Sequence, residues 1–328
     1  MSLIQTRGAA SARGFGLFGG GAGCCLNDGN KGIFALGEAP STLNTIRNKY
    51  TYATCVSTAC GVAVSSADSI QGAAAGNNTR GIFALGQSTG GVGSTVRNKY
   101  TYASCTSTAS GVGASSAVTR AGNAAGNSTR GIFALGIIVC ESTTRNKYTY
   151  ACCTSTASGV AVSSRTTGFG SSTGNSTRGI FKVGPNCGTT QTVRDKYTYA
   201  SCTSTSCGVG TASVGSYQGA ATGNSTVGIF ALGNACGVLL TTRNKYTYAT
   251  CASTASGVGA ASATNRYGSA AGNSTRGIFA LGSAPSSRST TRNKYTYSSC
   301  TSTASGVGVA SAASCSGAAA SWATCVNT

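Results

Sequence analysis

Histidine is absent from the 328 residues, and only five acidic side chains occur, Asp28, Glu38, Asp68, Glu141 and Asp195. None of the five recurs at a shared position of the repeats described below, so the chain offers no general acid–base pair and no triad. The same gaps argue against a metal centre, because zinc sites combine Cys and His at short spacings and no C-x2-C pair is present. A non-enzymatic protein without cofactor or metal is therefore expected. No apolar run approaches the eighteen or so residues of a membrane span. The opening MSLIQTRGAASARGFGLFGG also lacks the apolar stretch of a secretory signal. An extracellular protein of this sequence is expected to leave the cell by another route, or to be read here in mature form. No segment carries a helix-length amphipathic pattern.

Glycine is abundant, at 48 residues, with much Ser, Thr and Ala. Such a mixture suits flexible linkers, but here aromatic residues recur on a fixed period, which disordered chains do not show. The block GIF-x-x-G begins at Gly32, Gly81, Gly131, Gly179, Gly228 and Gly277. The block R-[ND]-KYTY begins at Arg47, Arg97, Arg145, Arg194, Arg243 and Arg292, so six units of about 49 residues fill most of the chain. Within NKYTY the two tyrosines alternate with Lys and Thr, the period of a strand, and GIFAL reads as a short apolar strand. The Gly-Asn of GN-[SN]-T supplies a hairpin turn, and GVGASSA and its relatives give two weaker strands.

Four short strands per unit describe a β-propeller blade. The expected fold is all-β, a propeller of about six four-stranded blades over residues 13–312, with a β-solenoid as the alternative. Residues 1–12 form an N-terminal arm, and residues 313–328 a tail that includes a candidate closing strand. RYGSAAGNSTRGIFALG, a variable loop and then TRNKYTY, over 266–297, resemble the kelch repeat. More narrowly, the pattern is similar to bacterial and phage-associated kelch-like proteins with repeated GNSTRGIF and NKYTY blocks. Most units end in one Gly rather than two, and the blade tryptophan is missing, Trp322 in the tail being the only one. The resemblance implies the propeller; the copper-oxidase chemistry known on that fold needs histidines that are absent here.

Twelve of the 14 Tyr and six of the nine Phe occupy repeated positions and are expected to pack blade on blade. That leaves few rings to stack bases, so nucleic acid is a less favoured partner. With 24 Lys and Arg and a net charge of +19, a polyanion is the expected partner, an anionic polysaccharide above all. The candidate anion-binding residues form a rim of Arg47, Lys49, Arg97, Lys99, Arg145, Lys147, Arg194, Lys196, Arg243, Lys245, Arg292 and Lys294. Many weak contacts at such a rim would add by avidity. This reading is an extracellular, cell-surface or virion-associated binding module. The alternative is a self-assembling subunit of a fibre, sheath or coat, a homo-oligomer or filament joined by terminal strand exchange and disulfides.

Six of the 16 Cys share one repeat position, Cys55, Cys105, Cys153, Cys202, Cys251 and Cys300, too far apart on neighbouring blades to pair with one another. The C-x4-C spacings suggest Cys55–Cys60 and Cys202–Cys207 as disulfides across a hairpin. Cys24, Cys25, Cys140, Cys187, Cys236, Cys315 and Cys325 lie in loops or the tail and are candidates for cross-links between subunits, in an oxidising location. The Asn-x-Thr sequons at Asn77, Asn127, Asn175, Asn224 and Asn273 coincide with the hairpin turn, whose geometry accounts for them without glycosylation.

Overall fold

The computed structural model describes residues 31–38, 42–59, 61–88, 91–118, 120–137, 142–166, 168–185, 189–284 and 287–321. Six four-stranded antiparallel sheets radiate from a common axis as the blades of a propeller, and no helix occurs among the described residues. None is therefore long and apolar enough to cross a membrane.

The second blade shows the plan. Its inner strand Ala73–Gly76 lines the axis and turns at Asn77 into Arg80–Ala84, which pairs with Arg97–Thr101, which pairs with the outer strand Thr106–Thr108. The first blade takes its inner strand from elsewhere in the chain. Ala318–Ser321, at the far end of the chain, pairs antiparallel with Lys31–Ala35 and so closes the ring. Residues 1–30, which include the expected N-terminal arm, lie outside the described residues.

The core lies between blades, because each sheet buries both faces against its neighbours. Between blades four and five, Ile180 and Val209 meet Phe230, Tyr246 and Tyr248. All twelve tyrosines of the YTY blocks are at most 7% exposed, as expected of a core. The glycine of GIF permits the close approach. A Cβ on Gly131 would stand 2.9 Å from the Tyr150 hydroxyl and 3.1 Å from Ala75 of the preceding blade.

The turn sequons also join blades. Asn127 Oδ1 accepts from the backbone N–H of Thr129 and of Arg130, each at 3.0 Å. Its Nδ2 donates to the Ser176 carbonyl of the next blade, also at 3.0 Å. The same bridge is made by Asn77, Asn175 and Asn224, so these amide nitrogens are already engaged.

Candidate functional site

The arginines of the expected rim are not at the surface. Arg47, Arg97, Arg145, Arg194, Arg243 and Arg292 are each 0–1% exposed, among the most buried large side chains of the described residues. The third strand alternates, so Arg and Lys face the following blade while Asn and Tyr face the preceding one. Arg194 reaches into that interface, its guanidinium 4.5 Å over the ring of Phe230. Its Nη1 donates to the carbonyls of Gly210 and Thr211 at 2.9 Å and to Ser253 Oγ at 2.7 Å, while Nη2 donates to Asn244 Oδ1 at 3.2 Å. Burial pushes its pKa down to about 10, which leaves it a cation at neutral pH. A fork of donors that matches four acceptors can be buried where an exposed-looking sequence context suggested a rim.

One interface uses an ion pair instead. Arg145 Nη2 lies 2.8 Å from Asp195 Oδ2, both side chains being wholly buried, where the other blades carry Asn. Elsewhere the asparagine amide donates to a serine, as Asn98 does to Ser66 Oγ at 2.7 Å. Against the carboxylate the serine reverses its role, Ser164 Oγ donating to Asp195 Oδ1 at 2.5 Å.

The lysines of the expected rim remain half-buried, with Lys49, Lys99, Lys147, Lys196, Lys245 and Lys294 at equivalent strand positions. Two of them are among the lining of a cleft of about 520 Å³ between blades five and six, at the end of the propeller that carries the Asn turns. Lys245, Lys294, Arg276, Val227, Tyr297 and Cys300 line it. The origin of this cleft is a break in the repeat. In other interfaces an arginine after the turn reaches across to the next blade, Arg80 Nη1 donating to the Tyr150 carbonyl, Arg130 to Tyr199 and Arg178 to Tyr248, all at 2.9 Å. Arg276 does the same to Tyr52 at 3.0 Å, while Lys31 stands at this position in the first blade. Blade five has Val227 there, which is too short and has no donor. Tyr297 is consequently 7% exposed, against 2% for Tyr150, Tyr199 and Tyr248.

The cysteines need two corrections. Cys55, Cys202 and Cys207 carry free thiols, so neither C-x4-C pair is joined. Cys202 precedes the outer strand Thr203–Thr205 and Cys207 follows it, so the two sit at opposite ends of one strand rather than across a hairpin. Cys315 is buried beneath Glu38, its thiol 3.7 Å from Oε2, and so is unavailable to another subunit. Cys236 is exposed, as are Cys152 and Cys207. Cys105 is disulfide-bonded, and none of the other described cysteines is its partner. Cys24, Cys25, Cys60, Cys140, Cys187 and Cys325 lie outside the described residues.

The six repeat cysteines have a conformational role that the sequence did not suggest. Each adopts positive φ, between 53° and 56°, in the turn after YTY, a region that L-residues other than Gly, Asn and Asp seldom enter. Four of their thiols, those of Cys55, Cys153, Cys202 and Cys251, meet the arginine of the preceding blade, as Arg80 meets Cys153 Sγ at 3.4 Å, while Cys300 meets Lys245. Among the described residues no group of three or more His, Cys, Asp or Glu is gathered as a metal would require.

The opposite end of the propeller is where the repeats differ from one another. The variable loops after GIF-x-x-G converge there on residues that precede the inner strands, as the bridges Ile70–Gln87, Tyr217–Asn234 and Arg266–Ser283 show. One residue per blade, Gln71, Ala121, Phe169, Gln218, Tyr267 and Ser316, again has positive φ, between 55° and 59°. Their backbones link round the axis. Phe169 N–H donates to Ala121 at 2.8 Å, Gln218 to Phe169 at 2.8 Å and Tyr267 to Gln218 at 2.8 Å. Ser316 donates to Tyr267 at 2.9 Å, and Gln71 to Ser316 at 2.7 Å. No protein-family model and no curated protein matches the chain, so its function is argued from this geometry.

Proposed function

We propose that the protein is a non-enzymatic binding module for an anionic surface polymer, acting outside the cell or on a virion. The observation that carries this reading is the cleft between blades five and six, which the Lys245 ammonium enters beside Cys300 and whose lining includes Arg276 and Lys294 but no acidic residue. A cationic opening free of carboxylates favours a carboxylate, sulfate or phosphate group of such a polymer. The equivalent lysines of the other blades would add weaker contacts along the same face, so that affinity comes from many engagements at once. The likeness to kelch-like repeats of phage-associated proteins agrees with this use as analogy.

Substitution of Val227 by Arg separates a site from mere net charge. It adds a cation but supplies the side chain that fills this position in other interfaces. On a heparin column the V227R variant is expected to elute at lower salt than the wild type, as are Lys245→Gln and Lys294→Gln. Elution of V227R at equal or higher salt would refute the cleft as the anchor.

A second reading, a self-assembling subunit, has one observation in its favour. Cys152, Cys207 and Cys236 are exposed free thiols. The Thr154 hydroxyl 2.9 Å from Cys152 Sγ draws that thiol's pKa below its ordinary value, towards the reactive thiolate. A ladder on a non-reducing denaturing gel that collapses with reductant would support this reading, and a single band in both conditions would reject it.

A further inference from the structure

We infer that the mouth of the central channel, at the end opposite the cationic cleft, is a binding site for one ring of a neutral sugar. Three observations converge on it. The first is the placement of the aromatics that the repeat does not use. Among the described residues, every Phe and Tyr outside the GIF and YTY blocks, Phe169, Tyr217 and Tyr267, lies at this mouth. Phe169 is the hub, its ring centroid 5.9 Å from Tyr267 and 6.4 Å from Tyr217. None of the three is buried like the core rings, each keeping part of its surface open. Ring faces at an open mouth suit the apolar C–H face of a pyranose.

The second observation is a set of polar atoms without protein partners in the channel just beneath. Gln71 Oε1, Gln218 Oε1, both side-chain heteroatoms of Asn123, and the hydroxyls of Ser171 and Ser172 are buried and make no hydrogen bond within the protein. Asn123, Ser171 and Gln218 are 7%, 5% and 7% exposed, and all five residues line the same cavity. Buried polar groups are ordinarily paired, so a cluster of such atoms facing one space marks where hydroxyl groups are to be met. Donors and acceptors are both present, as a hydroxyl requires.

The third observation is charge. No Lys, Arg, Asp or Glu lines this cavity, although the protein is strongly basic, so it selects a neutral ligand and differs in kind from the cationic cleft. The cavity holds about 110 Å³, room for a hydroxymethyl or acetamido arm together with a few waters, with the sugar ring lying across the mouth on Phe169 and Tyr267. Gln218 Nε2 already donates to the Tyr267 hydroxyl at 2.6 Å, fixing that ring and turning its own Oε1 to the channel.

Ligand-observed NMR with methyl glycosides of glucose, mannose, galactose and N-acetylglucosamine tests this, at about 1 M salt, where charge attraction is screened within roughly 3 Å. At least one glycoside is expected to bind the wild type saturably. Phe169→Asn and Tyr267→Asn should weaken that binding at least tenfold. Asparagine tolerates positive φ, so each variant removes a ring without straining the backbone, and its melting curve is expected to match the wild type. V227R should bind as the wild type does, which separates this site from the anionic cleft. Absence of saturable binding by all four glycosides, or unchanged binding by both Asn variants, would overturn the proposal.

Discussion

A guanidinium with four acceptors and an aromatic face can leave water without a large penalty, but it cannot be removed without one. Arg194→Ala would leave the Gly210 and Thr211 carbonyls, Ser253 and Asn244 without their donor and open a cavity beside Phe230. An orphaned buried acceptor costs about 1–3 kcal/mol and the cavity adds to that, so urea unfolding of the variant is expected to show a loss above about 2 kcal/mol. A surface-like loss under about 0.5 kcal/mol would contradict the burial. Lys182 makes a different residue-scale case. It stands where other blades have Ala and is 2% exposed, its ammonium donating to the carbonyls of Ser216, Gln191 and Val183. Burial first, and Arg194 second, lower its pKa from 10.5 to about 7. Between these values the unfolded chain binds the extra proton, so stability rises as pH goes from about 7 to about 10.5, and this contribution is lost as pH falls through 7. The melting temperature of the wild type is expected to climb across that window relative to Lys182→Ala, and parallel curves for the two would refute the assignment.

At the scale of the element, the GN-[SN]-T turn is both hairpin and clasp. Asn127 caps its own turn through Oδ1 and holds the next blade through Nδ2. Asn127→Ala is expected to cost about 1–2 kcal/mol by chemical unfolding, more than an exposed turn position otherwise would. Asn127→Asp should recover part of this, since a carboxylate oxygen still caps the turn but cannot donate to Ser176. Equal stability for Ala and Asp variants would show that the turn contact contributes nothing. The strand reading was legible here because Tyr, Thr and Lys alternate and Gly-Asn punctuates. The burial of the arginines was not, because Arg and Lys occupy alternate positions of the same strand face and look equivalent in one dimension. What separates them is depth. Arg lies over the Phe of the next blade's second strand, whereas Lys, two residues on, is only half-buried.

For the whole molecule, closure is the decisive contact. Ala318–Ser321 is the inner strand of the first blade and packs between the inner strands of blades two and six. Truncation after residue 312 would open the ring at the interface that joins the two ends of the chain. The expected result is loss of the single cooperative melting transition, measured by calorimetry, rather than a modest shift of it. Retention of one sharp transition at an unchanged temperature would mean that closure contributes little. Ring closure also separates two faces of different character, recurring Asn turns and cysteine turns at one end, variable loops and the channel mouth at the other.

Sequence alone determined the repeat, the two central strands of each blade, the number of blades and the tyrosine and phenylalanine core, because these follow from local periodicity at a fixed spacing. The GVGASSA stretches, expected as two weaker strands, lie outside the sheets, whose inner and outer strands are instead stretches such as Ala73–Gly76 and Thr106–Thr108. Tertiary structure decided which cations are buried, where the break at Val227 opens a cleft, and that Phe169, Tyr217 and Tyr267 meet at one mouth. Each of these depends on what a neighbouring blade presents some 50 residues away or more, as Arg145 and Asp195 illustrate. The off-repeat aromatics were visible as exceptions to the pattern. Only the closure of the ring brings them to a common axis, where one residue from each blade must adopt positive φ to turn into its inner strand.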